Sequence, residues 1–235
     1  MGKNKVFLFV IFSVLALVGF FVLLSIAGRI KDAGIEGGSV EAPVSQVPQI
    51  NKSVSDPLIT KSEDFYESLI RETDPTIGPS EAELKIIEFG DFQCQYCLAM
   101  KKVLEVVLPD YRERVAFVWK DFPNPIHTEA KTAAMAARCA QNQGKFWEYH
   151  DYLFETQADL SREIYNKIAL ELNLDLSVFN KCLDGKETAH LIGGGLEDGQ
   201  KVGVDATPYL IIGNGVYNYA LSEEELQGII ESRLK

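Results

Sequence analysis

Two cysteines with two residues between them, Cys94-Gln95-Tyr96-Cys97, are the part of this sequence best suited to covalent chemistry. An apolar run leads through Gly90-Asp91-Phe92-Gln93 into the pair, and apolar residues at helical spacing follow it. Cys94 is therefore expected at a helix N-terminus, where unpaired backbone N–H groups favour an anion. A free thiol of pKa ~8.5 is mostly protonated at neutral pH, whereas helix-terminal Cys-x-x-Cys sulfurs fall to roughly 3.5 to 7 and become nucleophiles. Cys94 is the expected attacking sulfur, and Cys97, one turn inside, reaches it to form or resolve a mixed disulfide. The competing chemistry for such a pair is half of a zinc site, which needs two more ligands, usually a second close pair. Cys139 and Cys182 stand apart, and His127, His150 and His190 have no zinc-knuckle spacing, so no metal site is expected.

The elements that must position this pair follow from periodicity. Leu84–Phe89 and Val115–Trp119 are dense apolar runs, as in strands covered on both faces. Between them Leu98, Val103, Leu104, Val107 and Leu108 recur at helical spacing up to Pro109, which makes a strand-helix-strand unit. Residues 128–202 are almost wholly helical in character, a block inserted between strands. The sheet resumes at Tyr209–Ile212, turns at Asn214-Gly215 and continues through Val216–Tyr219. A last helix begins with Ser222 and Glu225 spaced as a capping box, and buries Leu226, Ile229, Ile230 and Leu234. A short helix over Glu63–Arg71 packs on the domain.

The amino terminus bears on the compartment. Val6–Gly28 carries no charge, follows Lys3 and Lys5, and is long enough to cross a bilayer, which needs ~20 residues. It is read as a retained anchor with the rest of the chain outside; the alternative is a cleaved signal peptide, for which Ser25-Ile26-Ala27 supplies small residues. Residues 29–62 form a flexible tether rich in Gly, Ser and Pro, in which Asn51-Lys52-Ser53 is taken as plain polar linker rather than a glycosylation site. One domain, 63–235, then carries the helical insertion at about 127–202. In an exported domain Cys139 and Cys182 are expected to pair as a structural disulfide rather than remain free thiols. A formal charge of −11 disfavours nucleic acid, whose binding rests on cations displacing phosphate counterions.

Three other features are weighed for chemistry. Glu88 is a carboxylate inside an apolar strand, on the face of Leu84 and Ile86, where desolvation raises its pKa and suits it to exchange protons with Cys97. His127 is read as a surface or capping residue without catalytic work. Gly193-Gly194-Gly195 lacks the Gly-Lys-Ser/Thr ending and preceding strand of a phosphate loop, so close packing or a helix break is expected instead.

From Asp74 to Lys235 the chain resembles the DsbA-like thiol:disulfide oxidoreductases of the thioredoxin superfamily, in particular their membrane-tethered or secreted branch. The resemblance rests on Glu88-Phe89-Gly90-Asp91-Phe92-Gln93-Cys94-Gln95-Tyr96-Cys97, on Gly144-Lys145-Phe146-Trp147 with Tyr149-His150-Asp151, and on Gly203-Val204-Asp205-Ala206-Thr207-Pro208. It implies an α/β thioredoxin-like fold interrupted by a helical domain, which here follows the apolar span read above as a transmembrane helix. It also implies a cis Thr207–Pro208 peptide beside the sulfurs, substrate contacts from Thr207, Pro208, Gln95 and Tyr96, and a buried acid at Glu88. No cofactor is implied. Expected partners are cysteine-containing exported proteins and a quinone-linked membrane reoxidase of the DsbB or vitamin K epoxide reductase type. The expected reaction is oxidation, in which a substrate thiolate attacks Cys94 and Cys97 resolves the mixed disulfide. The rivals are a reductase or isomerase and a noncatalytic peptide-binding module. Gln95-Tyr96 departs from the proline or proline-histidine of many family oxidases, which implies a milder oxidant than DsbA.

Overall fold

The structure is a computed structural model that describes residues 61–234. The expected apolar span Val6–Gly28 and the tether up to residue 60 lie outside the described residues. Among the described residues no helix is long and apolar enough to cross a membrane.

A five-stranded sheet organises the domain. Its strands are β1 (Thr76–Ile77), β2 (Leu84–Gly90), β3 (Val115–Asp121), β4 (Tyr209–Ile212) and β5 (Gly215–Tyr217), in the spatial order β1-β3-β2-β4-β5. The central pair, β2 and β3, is parallel, and a parallel pair needs a crossover of a dozen or more residues. Helix Gln95–Val107, here α2 after the short α1 (Glu63–Glu67), supplies it. The chain then passes through a 3-10 turn, Leu108–Tyr111, which contains Pro109 rather than stopping before it, because proline is tolerated in a first turn. β2 also pairs antiparallel with β4, which turns back into β5.

Both faces of the sheet are covered, which explains why β2 and β3 are apolar at nearly every position. Leu84, Ile86, Phe117, Trp119, Leu210 and Ile212 face a core shared with α2, the C-terminal α8 (Glu223–Arg233) and the helical insertion. Ile87, Phe89, Val118, Tyr209 and Ile211 pack under Tyr66 and Leu69 on the other face. The start of α8 carries the reciprocal Ser222–Glu225 capping box, satisfying two N-terminal donors.

Between β3 and β4 lie five helices: α3 (Ala130–Gln141), α4 (Phe146–Glu155), α5 (Arg162–Glu171), α6 (Leu176–Asp184) and α7 (Ala189–Val202). A Cys139–Cys182 disulfide joins α3 to α6. The three successive glycines lie inside α7 without breaking it, because a Cβ on Gly195 would collide with the Asp121 carbonyl at the end of β3. Close approach is thus the use of that sequence. A buried charge cluster reinforces the joint: Lys120 on β3 pairs with Asp74 at 2.5 Å and Asp198 at 3.0 Å, and Arg138 on α3 pairs with Asp121 at 2.6 Å.

Candidate active site

Cys94 is the N-cap residue of α2, with extended backbone angles, so it begins the helix without belonging to it. The carboxylate of Asp91 holds the turn that leads there. It accepts hydrogen bonds from the N–H groups of Gln93 at 2.7 Å and Asn124 at 2.8 Å, and His127 Nδ1 lies 2.7 Å away. The backbone of Asp91 reaches both cysteines: its carbonyl accepts from Cys94 N–H at 3.0 Å, and its N–H donates to Cys97 Sγ at 3.4 Å. Gly90, just before, lies against the Trp119 ring, where any Cβ would collide.

The two sulfurs are thiols in very different surroundings. A hydrogen bond from the Cys97 side chain is the main reason that the Cys94 thiol is lowered to about 5; burial opposes it, and the Thr207 side chain and the N–H groups of Cys97 and Tyr96 add to it. Burial pushes Cys97 well above the usual thiol range, and the hydrogen bond it gives to Cys94 and the nearby Glu88 push it further. One sulfur is thereby a stable thiolate and the other a proton holder.

Pro208 is buried, and the Thr207–Pro208 bond is cis. In the thiol form Cys94 Sγ donates to the Thr207 carbonyl at 3.2 Å, so the loop before β4 lies directly against the attacking sulfur. Gln95 and Tyr96 flank it and are exposed, with Tyr96 49% accessible. Glu88, in the middle of β2, is buried, and its Oε1 has no hydrogen-bond partner among the described residues. Burial raises its carboxyl well above the ordinary range, with the charge of Cys94 as a second cause. Its side chain lines a cavity of about 350 Å³ with Leu104, Phe117, Trp119 and His150. Cys139 and Cys182, bonded to each other within the insertion, are not available as further ligands or thiols beside the pair.

Sequence reasoning passed over three contributors. Asp91 could have been noticed: an Asp two residues before a bonded N–H is an Asx turn, a local pattern. His127, read as a surface or capping residue, closes the set of partners around the Asp91 carboxylate, a partner its sequence position cannot disclose. Gln157, far along the chain, donates from Nε2 to the carbonyls of Phe92 at 2.8 Å and Cys94 at 3.1 Å.

A thioredoxin family model matches residues 71–232. The Na(+)/H(+) antiporter NhaA 3 of Salinispora tropica is 33% identical over 164 residues, which are 67% of this chain and 25% of that protein. The chain thus spans about a quarter of the length of the curated relatives it matches. Among solved structures, the thiol-disulfide exchange protein alpha-DsbA2 from Wolbachia pipientis aligns with a TM-score of 0.66 at 22% identity, over 74% of this chain and 95% of that one. Oxidised BdbD from Bacillus subtilis aligns with a TM-score of 0.60 at 22% identity, over 69% of this chain and 93% of that one. Identity at that level speaks for a shared fold. A low-lying sulfur at a helix cap, a high-lying partner one turn on and a matching fold lead to one assignment: the chain belongs to the thioredoxin family and has the fold of DsbA-type thiol-disulfide exchange proteins.

Proposed function

We propose that the chain is an extracytoplasmic, membrane-tethered thiol:disulfide oxidase that introduces disulfides into cysteine-containing exported proteins. The observation that carries this reading is the separation of the two sulfurs, Cys94 lowered to about 5 and Cys97 raised. A disulfide whose outer sulfur is so good a leaving group is readily reduced, and its dithiol is a stable product.

In the oxidised protein a substrate thiolate attacks Cys94 Sγ, the Cys94–Cys97 bond breaks, and Cys97 leaves with the electron pair and takes up a proton. Glu88, whose carboxyl is raised by burial and whose charge is felt at Cys97, is the group to supply it. A second substrate thiolate then attacks the substrate sulfur of the mixed disulfide, and Cys94 departs as thiolate. Electron balance thus assigns release of oxidised substrate to the substrate's own second sulfur, which corrects the expectation that Cys97 performs it. Cys97 resolves a mixed disulfide only in the reducing direction. The backbone at Thr207 offers an extended substrate segment an edge to pair with, and Gln95 and Tyr96 contact that segment. The two electrons held by the dithiol pass to a quinone-linked membrane partner of the DsbB or vitamin K epoxide reductase type. The span Val6–Gly28 would hold the domain near it and raise its effective concentration.

Equilibration of the Cys94–Cys97 pair with glutathione tests the direction. A potential well above thioredoxin's ~−270 mV supports an oxidase, and a value near it makes the protein a reductase. Cys94→Ala abolishes exchange with a reduced substrate peptide under this reading; unaltered activity would leave only peptide binding.

A further inference from the structure

The hydrogen bonds of Gln157 join the insertion to the reacting turn at the nucleophile itself. Gln157 opens the single 3-10 turn Gln157–Asp159 after α4. Its backbone has little freedom: the Thr156 hydroxyl donates to the Tyr152 carbonyl at 2.8 Å, Asp159 N–H donates to the Thr156 carbonyl at 2.9 Å, and Leu160 beyond is buried. The same helix presses Phe154 and His150 onto Phe92, with ring centroids 5.2 Å and 5.5 Å apart. From this fixed base the Gln157 amide gives its two hydrogens to the Phe92 and Cys94 carbonyls.

The Cys94 carbonyl already accepts the first helical hydrogen bonds, from Cys97 N–H at 3.1 Å and Leu98 N–H at 3.2 Å. A third donor is not needed to satisfy it, so the bond to Cys94, unlike the one to the Phe92 carbonyl, is not explained by satisfying an unpaired acceptor. The amide fixes the plane of the Cys94 peptide while its sulfur alternates among thiolate, mixed disulfide and internal disulfide. It also offsets the partial negative charge of two carbonyl oxygens beside the residue that must carry a thiolate. We propose that Gln157 is a positioning residue by which the helical insertion sets the thiolate stability, and hence the oxidising strength, of Cys94. The proposal rests on the exchange chemistry above.

The test uses the full chain with Gln157→Ala and Gln157→Glu, the latter keeping the shape but setting a carboxylate against two carbonyl oxygens. Ala158→Glu, at the exposed neighbouring position, controls for added charge. Three quantities are read: the pH dependence of Cys94 alkylation, the equilibrium with glutathione, and the melting temperature. The expected result is that both Gln157 variants alkylate several-fold more slowly below neutral pH and shift the glutathione equilibrium about tenfold toward the protein disulfide, a change of ~30 mV. Gln157→Glu should move further than Gln157→Ala, and Ala158→Glu should match the wild type. Should Gln157→Glu fail to fold, Gln157→Leu, of similar size without a donor, takes its place. Alkylation and equilibrium within twofold of wild type in the folded variants overturn the proposal. So does a charge control that moves as far as Gln157→Glu. Failure of the underlying exchange reading would appear separately, as a wild-type Cys94 that is not ionised at neutral pH.

Discussion

Glu88 lies buried in β2 with one carboxyl oxygen unpartnered among the described residues, so desolvation disfavours its charged form and raises its carboxyl well above the ordinary range. Replacing it by Gln preserves shape and removes the transferable proton. In Glu88→Gln the ionisation of Cys94 should change little, while steps that load or unload a proton at Cys97 slow at least about tenfold. Rapid-mixing kinetics with a reduced peptide separate the two, and unchanged rates of Cys97 departure would reduce Glu88 to a space-filling role. The burial of Glu88 was legible because Leu84 and Ile86 share its face at strand period. The pair at Cys94 and Cys97 was legible for a similar reason, since cap position follows from local pattern alone. Asp91–His127 and Gln157 were not, because their bonds span 36 and 63 or more residues and no periodicity links their ends.

Among the elements, β2, α2 and β3 announce themselves by unbroken apolar runs around an amphipathic helix; the final hairpin was also legible, but it turns one residue earlier than Asn214-Gly215, at Gly213-Asn214, because Gly213 takes the positive φ and Gly215 already pairs with Ile212. β1 does not. Its two residues are exposed and owe their strand form to pairing with Phe117 and Val118, a tertiary effect. The tight seat of α7 was equally hidden, for Gly195 is explained only by the Asp121 carbonyl beneath it. What holds the insertion to the sheet invites two measurements. Replacing Cys139 and Cys182 together by Ala opens a closure 43 residues apart in sequence, which should cost about 4 kcal/mol in chain-entropy terms, read as a lowered denaturation midpoint. Lys120→Met leaves Asp74 and Asp198 facing a buried methionine and should cost about 3 to 5 kcal/mol. Loss of less than about 1 kcal/mol on Lys120→Met would mean that the remaining cations, Arg71 and Lys201 on Asp198, suffice.

For the whole molecule, the placement of one sulfur makes redox state and stability the same question. In the dithiol form Cys94 ionises at about 5 when folded and at ~8.5 when unfolded. Its folded value is depressed, so the stabilisation from its charge is complete above the unfolded value and disappears as pH falls through the folded one. Cys97, raised by burial, begins to act in the opposite sense only above ~8.5, where the unfolded chain would ionise it. The Asp198 carboxyl, which burial would raise, is brought down to about 2 by hydrogen bonds from Arg71, Lys201 and Lys120. It contributes alike to both redox forms and only at the acid end, so it cancels from their difference. Between about pH 5 and pH 8.5 the dithiol form should therefore gain on the disulfide form by close to ~1.4 kcal/mol per pH unit. Denaturant midpoints of the two forms across that window give the slope directly. A dithiol form that outlasts the disulfide at neutral pH, with the margin shrinking toward pH 5, describes a fold that favours taking electrons from its clients; parallel curves would mean that Cys97 and the helix start do not hold the thiolate, and oxidation would lose its driving force.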